Sequence, residues 1–194
     1  MNPNFPNRVD IHVHQFKGKE FIRGRRFQVI SSDTVKELRS LVLVAADNNA
    51  STVGQAILNT IHNCQYEVDV SDIYDEKKKI TRKFQYDEIL LATKSNWRTL
   101  AWEGKTVGTT IKDQQAEIRP HILEYYPMGI GGQDEDTHIM SSLDPEELGS
   151  KVLQGLSLYK IDPKVQKRID ETRRKQALRR EERAKLKAEK LKNS

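Results

Sequence analysis

Val9-Asp10-Ile11-His12-Val13-His14 alternates without exception, with Val9, Ile11 and Val13 at odd positions and Asp10, His12 and His14 at even ones. A period of two puts the aliphatic side chains on one face of an extended chain and the polar ones on the other, the pattern of a half-buried strand. A chain that opens on such a strand and continues with helical periodicities belongs to the α+β class. Upstream, residues 1–7 hold two Pro and three Asn and read as an extended arm. Downstream, Lys17-Gly18-Lys19 separates the first strand from a second extended stretch in which Phe27 and Val29 alternate before Ser31-Ser32.

Helix signals follow. Thr34-Val35-Lys36-Glu37 has capping-box spacing and predicts a helix through Ala46, with Val35, Leu38 and Val42 on one face. Thr52-Val53-Gly54-Gln55 repeats the signal, and Val53, Ile57, Ile61 and Cys64 continue at helical intervals. Joined through Asp47-Asn48-Asn49, the two predict a helical hairpin. Tyr86, Ile89, Leu90, Trp97 and Leu100 stripe a third helix, ended by Gly104. Thr106 to Ile111 reads as a strand, and Tyr126 to Thr137 as a long loop broken by Pro127 and three glycines. Asp144-Pro145 opens a helix with an N-cap and a proline in its first turn; Leu148, Val152, Leu156 and Tyr159 form its apolar face, loosened by Gly149 and Gly155. Asp162-Pro163 repeats that start. The reading is an α+β fold: a small antiparallel sheet packed with several short helices, in a body spanning residues 8–162, and a long basic C-terminal helix over residues 163–194.

Charge divides along the same boundary. Of 194 residues, the 31 from Lys164 onward hold 13 Lys and Arg against 5 Asp and Glu, a net of +8; those before hold 20 against 23, a net of −3. The whole-chain pI of about 9.2 therefore describes neither part. Such a field governs what a surface attracts. One cysteine excludes an intrachain disulfide framework and fits a reducing compartment, and the N-terminus shows no secretory apolar core. The longest apolar run, Leu41 to Ala46, is six residues, too short to span a bilayer, so no membrane partner is expected.

Candidate chemistry is sparse. Asp10, His12 and His14 share a strand face and look like the opening D-x-H-x-H of metal-dependent hydrolases built on β/α barrels. Such barrels run to about 250 residues and take further ligands from later strands, where only His62, His121 and His138 remain. A polar strand face is the better account, so neither metal nor cofactor is expected. Cys64 lies on an apolar helix face with no CxxC partner and reads as a structural thiol. Met128-Gly129-Ile130-Gly131-Gly132 lacks the Lys-Ser/Thr of a phosphate loop, and Tyr125, Tyr126, Trp97 and Trp102 read as core or interface. The basic helix carries Arg173, Arg174, Lys175, Arg179, Arg180 and Arg183, which wrap much of its circumference at 100° per residue and are the candidate partner-binding residues.

Residues 21–111 resemble a known family. Arg26-Phe27-Gln28-Val29-Ile30, Glu37-Leu38 and Leu43-Val44-Ala45-Ala46 are followed by Ala56-Ile57, Ile61 and Asn63-Cys64. Then come Val68-Asp69-Val70, Phe84 with Tyr86-Asp87, Leu90-Leu91, Arg98 and Gly104-Lys105. This order is similar to the baseplate hub and hub-assembly proteins of T-even-type contractile-tailed bacteriophages. The resemblance implies no catalytic residues. It implies a non-enzymatic structural or assembly component of a tail baseplate, bound to other virion or tail proteins and assembled into the virion in the host cytoplasm. The alternative is a nucleic-acid-associated component of a ribonucleoprotein or nucleoprotein particle, its basic helix lying along phosphates.

Overall fold

The computed structural model describes residues 8–31, 34–64, 79–81, 87–123 and 136–192. Its centre is β1 (Arg8–Phe16), which has Val9, Ile11 and Val13 wholly buried, as the alternation requires. A two-residue turn at Lys17 and Gly18, both at positive φ, returns the chain into β2 (Lys19–Ser31). Paired left-handed residues match the right-handed twist of a tight hairpin, and glycine enters that region without strain. β3 (Thr34–Val44) pairs antiparallel with β2, and β4 (Lys79–Thr81) adds to it in parallel. On the other side of β1 lie β5 (Lys105–Lys112), β6 (Gln115–Pro120) and β8 (Ile139–Ser141), all antiparallel. Among the described residues the sheet has seven strands in the order β4-β3-β2-β1-β5-β6-β8. It is larger than the sequence suggested, and one of its pairings is parallel.

Thr34 to Ala46 is not the helix its capping spacing predicts but a strand to Val44, the second arm of a hairpin with β2. The expected helical hairpin is therefore a strand followed by a helix, α1 (Ala50–Asn63). Its N-cap is Asn49, whose side chain accepts the Thr52 backbone N–H at 2.8 Å. The expected third helix is two: α2 (Asp87–Thr93) and α3 (Trp97–Glu103), parted at Lys94, which has positive φ. Gly104 ends α3 as expected, and Asp144 and Asp162 begin helices as expected. Asp144 accepts the N–H groups of Glu146 and Glu147 at the start of α4 (Pro145–Ser157). Asp162 accepts those of Lys164 and Val165 at the start of α5 (Pro163–Lys192). β6 was missed because Ala116 and Ile118 are its only apolar inward residues before Pro120, and its turn with β5 uses Asp113 and Gln114 at positive φ instead of glycine. The phosphate-loop-like glycines and most of the long loop lie outside the described residues.

α1 and α4 cover one sheet face and bury Ile11, Val13, Ile22, Val53, Ile57, Val107, Ile118, Leu148 and Val152 between them. Where the helices cross, their backbones touch. A Cβ built on Gly54 would lie 1.8 Å from the Pro145 carbonyl oxygen, and one on Gly149 would lie 1.7 Å from that of Ala50. Gly149 thus tightens the packing rather than loosening it. On the opposite face, α2 and α3 close over Phe16 and Phe21 through Ile89 and Leu100. β7 (Ile122–Leu123) and β9 (Lys160–Ile161) form a short parallel pair that delivers the chain to α5.

Candidate functional site: a buried histidine face and a basic helix

The polar side of β1 divides its three candidate ligands among separate partners. Asp10 accepts a hydrogen bond from the Thr110 hydroxyl at 2.9 Å. His14 is buried, and its Nδ1 lies 3.0 Å from Thr106 Oγ1. His12 stands between two edge-on imidazoles, with ring centroids 6.2 Å from His14 and 5.5 Å from His121. Among the described residues no three His, Cys, Asp or Glu side chains converge as a metal-ligand set. Burial, then the positive charge of Arg23 and the neighbouring His121 imidazole, pushes the His14 pKa down to about 3. His14 is thus neutral at physiological pH, held as a packed polar group rather than poised as a proton carrier. Cys64 is a buried thiol at the end of α1, against Gly24 of β2.

Farther along the same face, Glu117 accepts from Arg119 Nε and Nη2 at 2.9 and 2.7 Å and meets His138 Nδ1 at 2.5 Å. Partial burial raises the Glu117 pKa, but these hydrogen bonds outweigh it and hold the carboxyl below its ordinary value. The network sits at the surface, where such pairs contribute about 0–1 kcal/mol.

α5 begins as core and ends as solvent-facing helix. Val165 and Ile169 are buried against Leu123, with Ala101, Trp102, Tyr159 and Ile161 around them. From Arg173 to Glu189 every side chain is exposed. A turn beyond Ile169 on the same face, Arg173 reaches back and donates from Nη2 to the Trp102 carbonyl at 3.4 Å. There a cleft of about 610 Å³ is lined by Leu90, Asn96, Arg98, Thr99, Trp102, Glu103, Arg173, Gln176 and Arg180. Of the six candidate binding residues, Arg173 and Arg180 line this cleft; Arg174, Lys175, Arg179 and Arg183 do not. Arg98 was not among the candidates. Its guanidinium lies over the Trp102 ring, 5.6 Å from the centroid. In the sequence it stands 75 positions from Arg173, so no local pattern joins them. No helix among the described residues is long and apolar enough to cross a membrane.

No protein-family model matches this chain, and no curated protein matches it either. Solved structures share its fold. A protein of unknown function from Neisseria meningitidis superimposes with a TM-score of 0.53 at 17% identity, covering 82% of this chain and 99% of its own. A chain of a CdiA-CT/CdiI toxin and immunity complex from Yersinia pseudotuberculosis superimposes with a TM-score of 0.51 at 10% identity, covering 79% of this chain and 98% of its own. At these identities the likeness is one of fold.

Proposed function

We propose that this chain is a non-enzymatic binding protein that acts through protein–protein contacts, with α5 as its projecting contact element. The observation that carries the reading is the construction of α5. Two core side chains anchor this 30-residue helix, about 45 Å long, and from Arg173 to Glu189 it stands in solvent with cations on all sides. A helix tracking a duplex gathers its cations on one side, whereas one set among several acidic protein surfaces uses its whole circumference. The setting is a protein assembly. The toxin and immunity complex among the fold neighbours suggests a dedicated protein partner, while the resemblance of residues 21–111 suggests a phage tail baseplate.

The competing reading, a nucleic-acid component, rests on the +8 of the last 31 residues. Titrating random duplex DNA across a range of salt concentrations separates the two. Binding that neutralises phosphates falls with a log–log slope of about −0.9 per phosphate. We expect a slope shallower than about −4, little changed when Arg173, Arg174, Lys175, Arg179, Arg180 and Arg183 are exchanged for Gln. A steeper slope that the exchange flattens would assign the helix to nucleic acid.

A further inference from the structure

We infer that the cleft between α5 and the α2–α3 corner is a docking site for an acidic peptide segment of a partner protein, a conclusion that rests on the protein-binding reading above. Three arginines line it from two parts of the chain: Arg98 on α3, and Arg173 and Arg180 on α5. Among the described residues none of the three forms an ion pair. These cations outnumber the one carboxylate that lines the cleft with them, Glu103, and a bound carboxylate relieves their mutual repulsion while gaining charge-assisted, often bidentate hydrogen bonds.

Spacing and lining favour a peptide. Arg173, Gln176 and Arg180 recur at intervals of three and four, so they share one helix face, a face that buries Ile169 one turn earlier. Arg173 and Arg180 are about 10.5 Å apart along the axis. Carboxylates two to four residues apart on an extended segment span about 7–13 Å, which long arginine side chains can meet. Leu90 and Trp102 supply apolar wall, and Asn96, Thr99 and Gln176 supply groups able to pair with a peptide backbone. One feature disfavours a phosphodiester chain: Arg98 already lies over the Trp102 ring on which a base would stack.

The test uses the full chain and a short fluorescein-labelled peptide alternating Glu with Ser, its Gln-for-Glu counterpart, and an oligothymidylate of equal charge. Anisotropy at near-physiological salt is compared for the wild type, for R173Q/R180Q in the cleft, and for R174Q/R179Q, which removes the same charge from the same helix outside it. We expect the Glu peptide to bind, the Gln peptide not to, and the cleft pair to weaken binding about ten-fold where the outside pair changes it less than about two-fold. Circular dichroism of each variant checks that α5 is retained. Equal losses from the two pairs, or no binding of the Glu peptide below about 1 mM, would overturn the cleft while leaving α5 a protein-contact element. Tighter binding of the oligothymidylate, dependent on Arg173 and Arg180, would overturn both.

Discussion

His14 is a titratable group placed where its charged form has almost no water. Its pKa near 3 lies below the usual 6.5, so between these values the unfolded chain holds a proton that the folded chain does not. Stability from this residue is therefore complete above about pH 6.5 and is lost at about 1.4 kcal/mol per pH unit as pH falls toward 3. Between pH 7 and 5 urea unfolding should show a loss of about 2 kcal/mol from this residue. His14→Gln, which cannot take up that proton, should flatten this part of the pH dependence whatever it does to stability at pH 7. An unchanged slope would show that His14 is not what the acid attacks. That His14 shares a face with Asp10 and His12 was legible from alternation alone. Their partners were not, because Thr106 and Thr110 lie 92 and 100 positions away and only strand pairing brings them near.

At the scale of elements, α1 and α4 show how a residue with poor helix propensity can hold two helices together. Gly149→Ala would favour the helix by about 1 kcal/mol on propensity. Its Cβ, however, would meet the Ala50 carbonyl at 1.7 Å, and backbone cannot move aside locally. We expect a net loss of at least about 2 kcal/mol by denaturant titration. At Gly155 the nearest atoms are side-chain methyls of Ile118 and Val107 at 3.0 and 3.2 Å, which can shift by tenths of an ångström. There Ala should stay within about 1 kcal/mol of the wild type, as propensity and crowding offset each other. Losses of equal size at both sites would refute the backbone-contact argument. β3 teaches the converse. Thr34-Val35-Lys36-Glu37 carries a genuine local cap signal, but Leu41-Val42-Leu43-Val44 is a short apolar run that suits strand or helix, and pairing with a strand as long as β2 decides it.

Across the whole molecule, the change in charge and the change in packing along α5 do not coincide. Charge shifts at Lys164, but burial persists through Val165 and Ile169 and ends only at Arg173. Cutting the chain at residue 164 would thus remove two core side chains along with the basic region. Ile169→Ala should cost about 2–4 kcal/mol. Deleting residues 184–194 should move the thermal midpoint by less than about 2 °C. If the deletion is as damaging as the core substitution, the exposed end of the helix has a structural role on the body. The sequence by itself determined the first strand, the caps at Asp144 and Asp162, the α+β class and the asymmetry of charge, because each is written in neighbouring residues at fixed spacing. Only the tertiary structure decided that residues 34–44 are a strand, that Gly54 and Gly149 are a contact, and which arginines face a cleft. Each of these depends on groups far apart in the chain, whose approach is set by burial and strand pairing rather than by local preference.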